Sequence, residues 1–379
     1  MLPIIPKIQG SMLKGIKLTK KKIFVSDCEG PLSTNDNAFE ATAYFIENGD
    51  KLFALVSKYD DVLADVIKKP DYKAGNTLKL ILPFFKAYDV TDQKLRDFSY
   101  KTVRLVYCAK DTLQFIKNIM HAFIVNTGYE HYTSALCDRL DFPRENGYGT
   151  KLQLDKYQID ETEKKVLRKI KEEIVAMPMI TIPENAKSIH DFSRQDQETI
   201  RKLDEIFWDI IPKMKSGKLL NEVDPRGGWK KAETVKMIVG KLNGDFADTM
   251  YVGDSITDVE SLELVRRNGG LAISFNGNEY AVRKAEIAVF SGSTAITSIL
   301  ADAFSRFGKE YVLELVKKWS SSTLENYVSD AGLHGKIAKQ CLEDSPRVEL
   351  VTIQNINRLI KESCAIRKKV RGEAIGTLG

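Results

Sequence analysis

Residues 23–32 read Ile23-Phe24-Val25-Ser26-Asp27-Cys28-Glu29-Gly30-Pro31-Leu32. A short apolar run ends abruptly in an acid, a second acid follows two positions on, and Gly-Pro closes the stretch. An apolar run bounded by turn residues predicts a buried parallel strand, its carboxyl end delivering Asp27 to a loop. Ligands of open α/β sheets bind at that edge. Which other strand ends supply partners for Asp27 is then the question for the rest of the chain.

Working outward, Ser33-Thr34-Asn35-Asp36 resembles a helix cap, and Ala38, Ala41, Phe45 and Ile46 recur at helical spacing over 37–48. A helix over 111–120 leads to a strand at 122–125, which ends in Asn126-Thr127-Gly128 before a new helix over 129–140. A helix over 231–242 leads to a strand at 249–252 ending in Gly253-Asp254-Ser255-Ile256-Thr257-Asp258. Helix 258–267, strand 271–275, helix 280–284 and strand 287–290 continue the alternation. This is the pattern of an α/β fold with a Rossmann-like, doubly wound parallel sheet. Two blocks interrupt it. Residues 59–118 read as mostly helical, with Leu80 to Phe85 and Val103 to Tyr107 as buried faces of short helices. Residues 150–227 are more polar, with amphipathic helices over 160–176 and 196–211. Beyond Ala301 the chain reads as helical and charged, with a basic cluster of Arg367, Lys368, Lys369 and Arg371 near its end.

The bulk numbers narrow the function. A chain of 379 residues with 43% hydrophobic and 29% charged residues suits two or three packed units. A net charge of +5 is not a nucleic-acid signature, and Trp208, Trp229 and Trp319 are too dispersed for a stacking platform. No apolar run reaches the roughly 18 residues of a membrane helix. The leader is apolar first and basic afterwards (Lys14, Lys17, Lys20, Lys21, Lys22), the reverse of a secretory signal, and Met12 is an alternative start. Five scattered cysteines without a CxxC pair predict reduced thiols and a cytoplasmic setting. The four histidines lack metal-ligand spacing.

Three predicted strand ends carry polar groups: Asp27 with Glu29, Thr127, and Asp254 with Asp258. Parallel strands bring them to one edge. Two strand-end carboxylates with a backbone carbonyl form an oxygen-only site suited to Mg²⁺. Carboxylates, a hydroxyl, a lysine and Mg²⁺ can together position and neutralise a phosphoryl group. Each signal alone is weak, since Gly-Asp starts many turns and Thr caps many helices; their order and context carry the reading.

Asp27-Cys28-Glu29-Gly30, Thr127-Gly128, Lys231 and Gly253-Asp254-Ser255-Ile256-Thr257-Asp258 resemble the four ordered motifs of the haloacid-dehalogenase-like hydrolase superfamily, closest in spacing to its phosphoserine-phosphatase-like branch. The opening Asp27-Cys28-Glu29-Gly30-Pro31 also resembles archaeal members described as a subunit (subunit R) of an energy-converting hydrogenase A. The resemblance implies Asp27 as nucleophile and Glu29 as general acid and base. Thr127, Gly128 and Lys231 would bind the substrate phosphoryl group, with Lys231 favoured over Lys230. Asp27, the Glu29 backbone carbonyl, Asp254 and Asp258 would hold Mg²⁺, with Asp258 in a supporting place. One departure stands out: the second acid is usually Asp, and Glu29 carries an extra methylene. The implied division is a basic N-terminal extension over 1–19, a core over 20–34, 118–150 and 225–304, a helical cap over 35–117, a second helical insertion over 151–224, and a helical C-terminal extension over 305–379. The expected function is a Mg²⁺-dependent phosphatase acting on a small phosphorylated metabolite through an aspartyl-phosphate. Phosphotransfer to an alcohol is a variant, and dehalogenation, which uses no Mg²⁺, is disfavoured. The alternative is a non-catalytic or regulatory subunit that docks through its insertions or C-terminal tail. No nucleic-acid partner is expected.

Overall fold

The computed structural model describes residues 21–331 and 335–378, so the extension expected over 1–19 lies outside the described residues. Its strands are β1 (Ile23–Ser26), β2 (His121–Tyr129), β3 (Gly147–Thr150), β4 (Thr249–Gly253), β5 (Leu271–Phe275), β6 (Ile287–Phe290) and β7 (Arg347–Leu350). They form one sheet in the order β3-β2-β1-β4-β5-β6-β7. The first six run parallel and β7 is antiparallel to β6. β1 sits centrally, with Val25 paired to Phe123 of β2 and to Tyr251 of β4. The strand order reverses at β1, so the carboxyl ends of β1, β2 and β4 flank the crevice where such sheets bind ligands.

Helices follow in chain order. After β1 come α1 (Asn37–Phe45), α2 (Gly49–Asp61), α3 (Thr77–Ala87) and α4 (Asp92–Thr102), and α5 (Ala109–Ile119) leads into β2. Then come α6 (Glu130–Arg139), α7 (Glu161–Ala176), α8 (Arg194–Asp204), α9 (Gly217–Glu222), α10 (Trp229–Lys241), α11 (Val259–Arg267) and α12 (Glu279–Lys284). The remainder is α13 (Ala295–Phe307), α14 (Lys309–Lys317), α15 (Ser321–Asp330), α16 (Lys336–Asp344), α17 (Ile356–Arg371) and α18 (Glu373–Gly376).

Alternation along β1 decides which residue faces which layer. Phe24 packs with Leu113, Ile116, Leu136 and Ile299 of α5, α6 and α13, whereas Val25 packs with Val235, Ile238 and Leu262 of α10 and α11. Each such side chain taken fully from water contributes about 1.5–3 kcal/mol, so the sheet is held from both faces. The two helical blocks pack together into a third body: Leu52, Val56 and Phe84 share one apolar cluster with Leu167, Ile170 and Phe207.

Three readings need correction. Val103 to Tyr107 is not helical: α4 ends at Thr102, Leu105 bridges to Ser33, and Tyr107 bridges to Ser293. The buried Val103 and Val106 serve an extended segment tied to the first loop, where the Val106 amide donates to the Leu32 carbonyl at 2.9 Å. The block read as helix-rich from residue 150 is preceded by an edge strand, β3, that the sequence reading missed. The region beyond Ala301 also contributes a strand: β7 pairs with β6 and caps the sheet edge.

Candidate active site

Asp27 follows the last residue of β1, and its amide donates to the Val252 carbonyl at 2.8 Å, extending the β1–β4 pairing by one step. Asp27 Oδ1 accepts from the Cys28 amide at 2.7 Å, and Oδ2 lies 2.9 Å from Lys231 Nζ. The chain then turns at Gly30, whose φ of +113° favours glycine and where a Cβ would come 2.2 Å from Asp254 Oδ2. The turn thus passes directly beneath Asp254.

Lys231 lies in the first turn of α10 and is fully buried, its Nζ held between Asp27 and Asp258 Oδ1, the latter at 2.8 Å. Its neighbour Lys230 points elsewhere and pairs with Asp224 at 3.0 Å. Asp258 spends both oxygens on the protein. Oδ1 accepts from Lys231 and from the Tyr251 hydroxyl at 2.7 Å, and Oδ2 accepts from the Asp254 and Ser255 amides at 3.0 and 3.1 Å. Its place is to fix Lys231 and the 254–258 loop.

Asp254 is divided. Oδ2 pairs with Arg367 and, at 3.1 Å, with Arg371, while Oδ1 is buried without a partner among the described residues. Thr127 Oγ1 is likewise buried and unpartnered. The Gly128 amide is engaged by Asn126 Oδ1 at 3.0 Å. Glu29 Oε1 accepts from the Asn37 amide at 2.6 Å, at the start of α1. Its other oxygen faces Gly128, where a Cβ would lie 3.2 Å from Oε2.

The electrostatics follow from burial. Desolvation, then Asp258 and Asp254, push Asp27 up to about 8 against the pull of Lys231. Burial alone would discharge Lys231, but Asp258 and Asp27 outweigh it and raise its pKa. Burial raises Glu29 well above the carboxylate range, and Asp36 and Asp27 add to this against the Asn37 amide and Arg371. Asp258 moves downward, because Lys231 and its hydrogen bonds overcome desolvation.

A cavity of about 90 Å³ is lined by Asp27, Thr127 and Asp254 together with Phe53, Asp60 and Leu78 of α2 and α3. Seven carboxylates (Asp27, Glu29, Asp36, Asp60, Asp61, Asp254, Asp258) meet three cations (Lys231, Arg367, Arg371) in and beside it. Ligand oxygens of Asp27, Asp254 and Asp258 lie within 4.8 Å of one another. The surplus of buried carboxylate and the unpartnered Asp254 Oδ1 fit a hard divalent cation, and Mg²⁺ is such an ion.

Asp36, Arg367, Arg371, Tyr251 and the cavity-lining residues of α2 and α3 escaped the sequence reading. Arg367 and Arg371 had been seen only as part of a basic cluster; their i, i+4 spacing, which puts both on one helix face, was the signal available.

No protein-family model matches the chain, and no curated protein matches it. Among solved structures it is similar to the gene product AF1437 from Archaeoglobus fulgidus, with a TM-score of 0.77 at 24% identity over 95% of this chain and 99% of that one. It also aligns with phosphoserine phosphatase in its apo form, with a TM-score of 0.39 at 15% identity over 71% of this chain and 93% of that one. The substrate-bound phosphoserine phosphatase complex gives a TM-score of 0.41 at 16% identity over 71% and 92%. AF1437 shares the fold across nearly the whole length. Among the described residues no helix is long and apolar enough to cross a membrane.

Proposed function

We propose that this chain is a haloacid-dehalogenase-like, Mg²⁺-dependent phosphatase acting on a small phosphorylated metabolite through an aspartyl-phosphate on Asp27. One observation carries the reading: Thr127 Oγ1 and Asp254 Oδ1 are both buried without partners among the described residues, in the cavity that Asp27 also lines. Folding leaves such groups unsatisfied at a cost of about 1–3 kcal/mol each. A hydroxyl donor and a carboxylate acceptor beside the same acid suit a phosphoryl oxygen and a cation respectively.

The residues then divide the chemistry. An Asp27 oxygen forms a bond to phosphorus as the ester P–O bond breaks, and Glu29 gives its proton to the departing alkoxide. A general acid must be protonated near neutral pH, and the raised pKa of Glu29 provides that. Lys231 and Thr127 hold the equatorial oxygens. Glu29 next takes a proton from water as the water oxygen attacks phosphorus, releasing Asp27. Mg²⁺, held by Asp27, Asp254 and the Glu29 carbonyl, would neutralise phosphoryl charge and keep Asp27 ionised. Phe53 and Leu78 place apolar surface in the cavity wall, which lowers the local dielectric and strengthens each of these interactions.

The test is turnover of an aryl phosphate with and without Mg²⁺, beside Asp27→Asn. Metal-dependent turnover that vanishes in the variant supports the reading. No turnover across a broad panel of phosphate esters would sink it and favour a binding subunit.

A further inference from the structure

Helix α17 belongs to the C-terminal region, yet it reaches the edge of the sheet where Asp254 stands. Leu359 packs with Val282, Ala288 and Phe290, and the Ser363 hydroxyl donates to the Gly277 carbonyl at 2.6 Å. One turn further on each time, Arg367 and Arg371 lie on that same face. Arg367 Nη1 donates to the Asp254 carbonyl at 3.2 Å as well as to its carboxylate. Arg371 joins Asp254 Oδ2 to the loop after the first motif, donating to the carbonyls of Thr34, at 3.4 Å, and Asn35. Both side chains are buried, 3% and 5% exposed.

We infer that Arg367 and Arg371 are positioning residues for the cation site, so that α17 completes the active site instead of decorating it. This rests on the proposed metal-binding role of Asp254. Both guanidiniums meet Oδ2 and neither meets Oδ1, which stays open beside Asp27. Two guanidiniums on Oδ2, themselves tied to the Asp254, Thr34 and Asn35 carbonyls, tether that oxygen and leave the other presented to an incoming cation. A plug in the cation's place would have engaged the open oxygen as well.

The experiment measures Mn²⁺ affinity of the intact chain by titration calorimetry near neutral pH, without substrate. Arg367→Gln and Arg371→Gln are expected to bind Mn²⁺ about 10- to 100-fold more weakly than the parent. Arg371→Lys, which keeps the charge but loses the fork, should also weaken binding. Arg358→Gln, on an exposed part of the same helix and paired with Glu349 and Glu362, should bind as the parent does. Unchanged or tighter binding in folded Gln variants, checked by circular dichroism, overturns the inference; tighter binding would mean the arginines compete with the cation. Should the Gln variants not fold, parental affinity in Arg371→Lys overturns it alone. A parent that binds no Mn²⁺ overturns the metal site itself, and that outcome is distinct from a parent that binds while the variants match it.

Discussion

Asp27→Asn should make the protein more stable while destroying its chemistry. Asp27 has a pKa of about 8 in the fold, against ~3.9 in an unfolded chain. The folded state therefore holds a proton that the unfolded state releases, so stability is fully present below about pH 4 and is lost as pH rises through about 8. By pH 7 roughly three units of that interval have been crossed, which at ~1.36 kcal/mol each is about 4 kcal/mol. Asparagine mimics the protonated acid and escapes this loss. It keeps an acceptor for the Cys28 amide, and Asp258 remains to hold Lys231. Allowing for the lost carboxylate–lysine pairing, a gain of about 2–4 kcal/mol at pH 7–8 is expected, large beside a total of ~5–15. Urea unfolding in chelator at about pH 5 and about pH 8 checks it, with the difference between variant and parent widening toward alkaline pH. Added Mg²⁺ should narrow the difference by stabilising the parent. A variant that is no more stable than the parent at about pH 8, or a pH-independent difference, would refute the reasoning.

Thr127→Val removes a buried hydroxyl that has no partner, so stability should rise by about 1 kcal/mol while KM for an aryl phosphate increases; thermal melts and steady-state kinetics check both. Lys231→Met leaves Asp258 as a buried charge without its cation and takes from Asp27 the partner that favours its ionised form; a loss of about 3–5 kcal/mol is expected, growing toward alkaline pH as Asp27 gives up its proton, and denaturation at two pH values reads it. Glu29→Gln keeps the Asn37 hydrogen bond but carries no exchangeable acid; turnover of poor leaving groups should fall about 10²–10⁴-fold, with a smaller loss for activated aryl esters.

The sheet was legible because its strands announce themselves. Ile23 to Ser26, Thr249 to Val252 and Leu271 to Phe275 are apolar but for one small hydroxyl residue each, as strands buried on both faces tend to be. β3 was not legible, since Gly-Tyr-Gly-Thr has poor strand propensity. Its glycines answer tertiary crowding instead: a Cβ at Gly147 would meet Cys137 Sγ at 2.7 Å and one at Gly149 would meet Thr133 Oγ1 at 2.4 Å. β7 is an edge strand whose Arg347 and Glu349 face other charges, so alternation was masked. Within the site, residues at strand ends could be read from order and spacing. Arg367 and Arg371 could not, because nothing local indicates that a helix over a hundred residues downstream returns to Asp254.

The structure also gives Glu29 a physical rationale for its extra methylene. Oε1 is anchored on the Asn37 amide at 2.6 Å, at the N-terminus of α1, where a carboxylate also meets the favourable end of the helix dipole. Oε2 is left beside Gly128. An aspartate would have to choose between these two places, because one methylene is more than an ångström of reach. The longer side chain spans from the loop after β1 to the start of α1, so its carboxyl group is set in position by that helix. Asp36, which caps that helix and accepts from the Phe39 amide at 3.0 Å, raises the Glu29 pKa in turn. If Glu29 is the general acid of the proposed reaction, this geometry ties its position to α1, and a displacement of α1 from the first loop would cost the carboxyl its anchor and part of its raised pKa together.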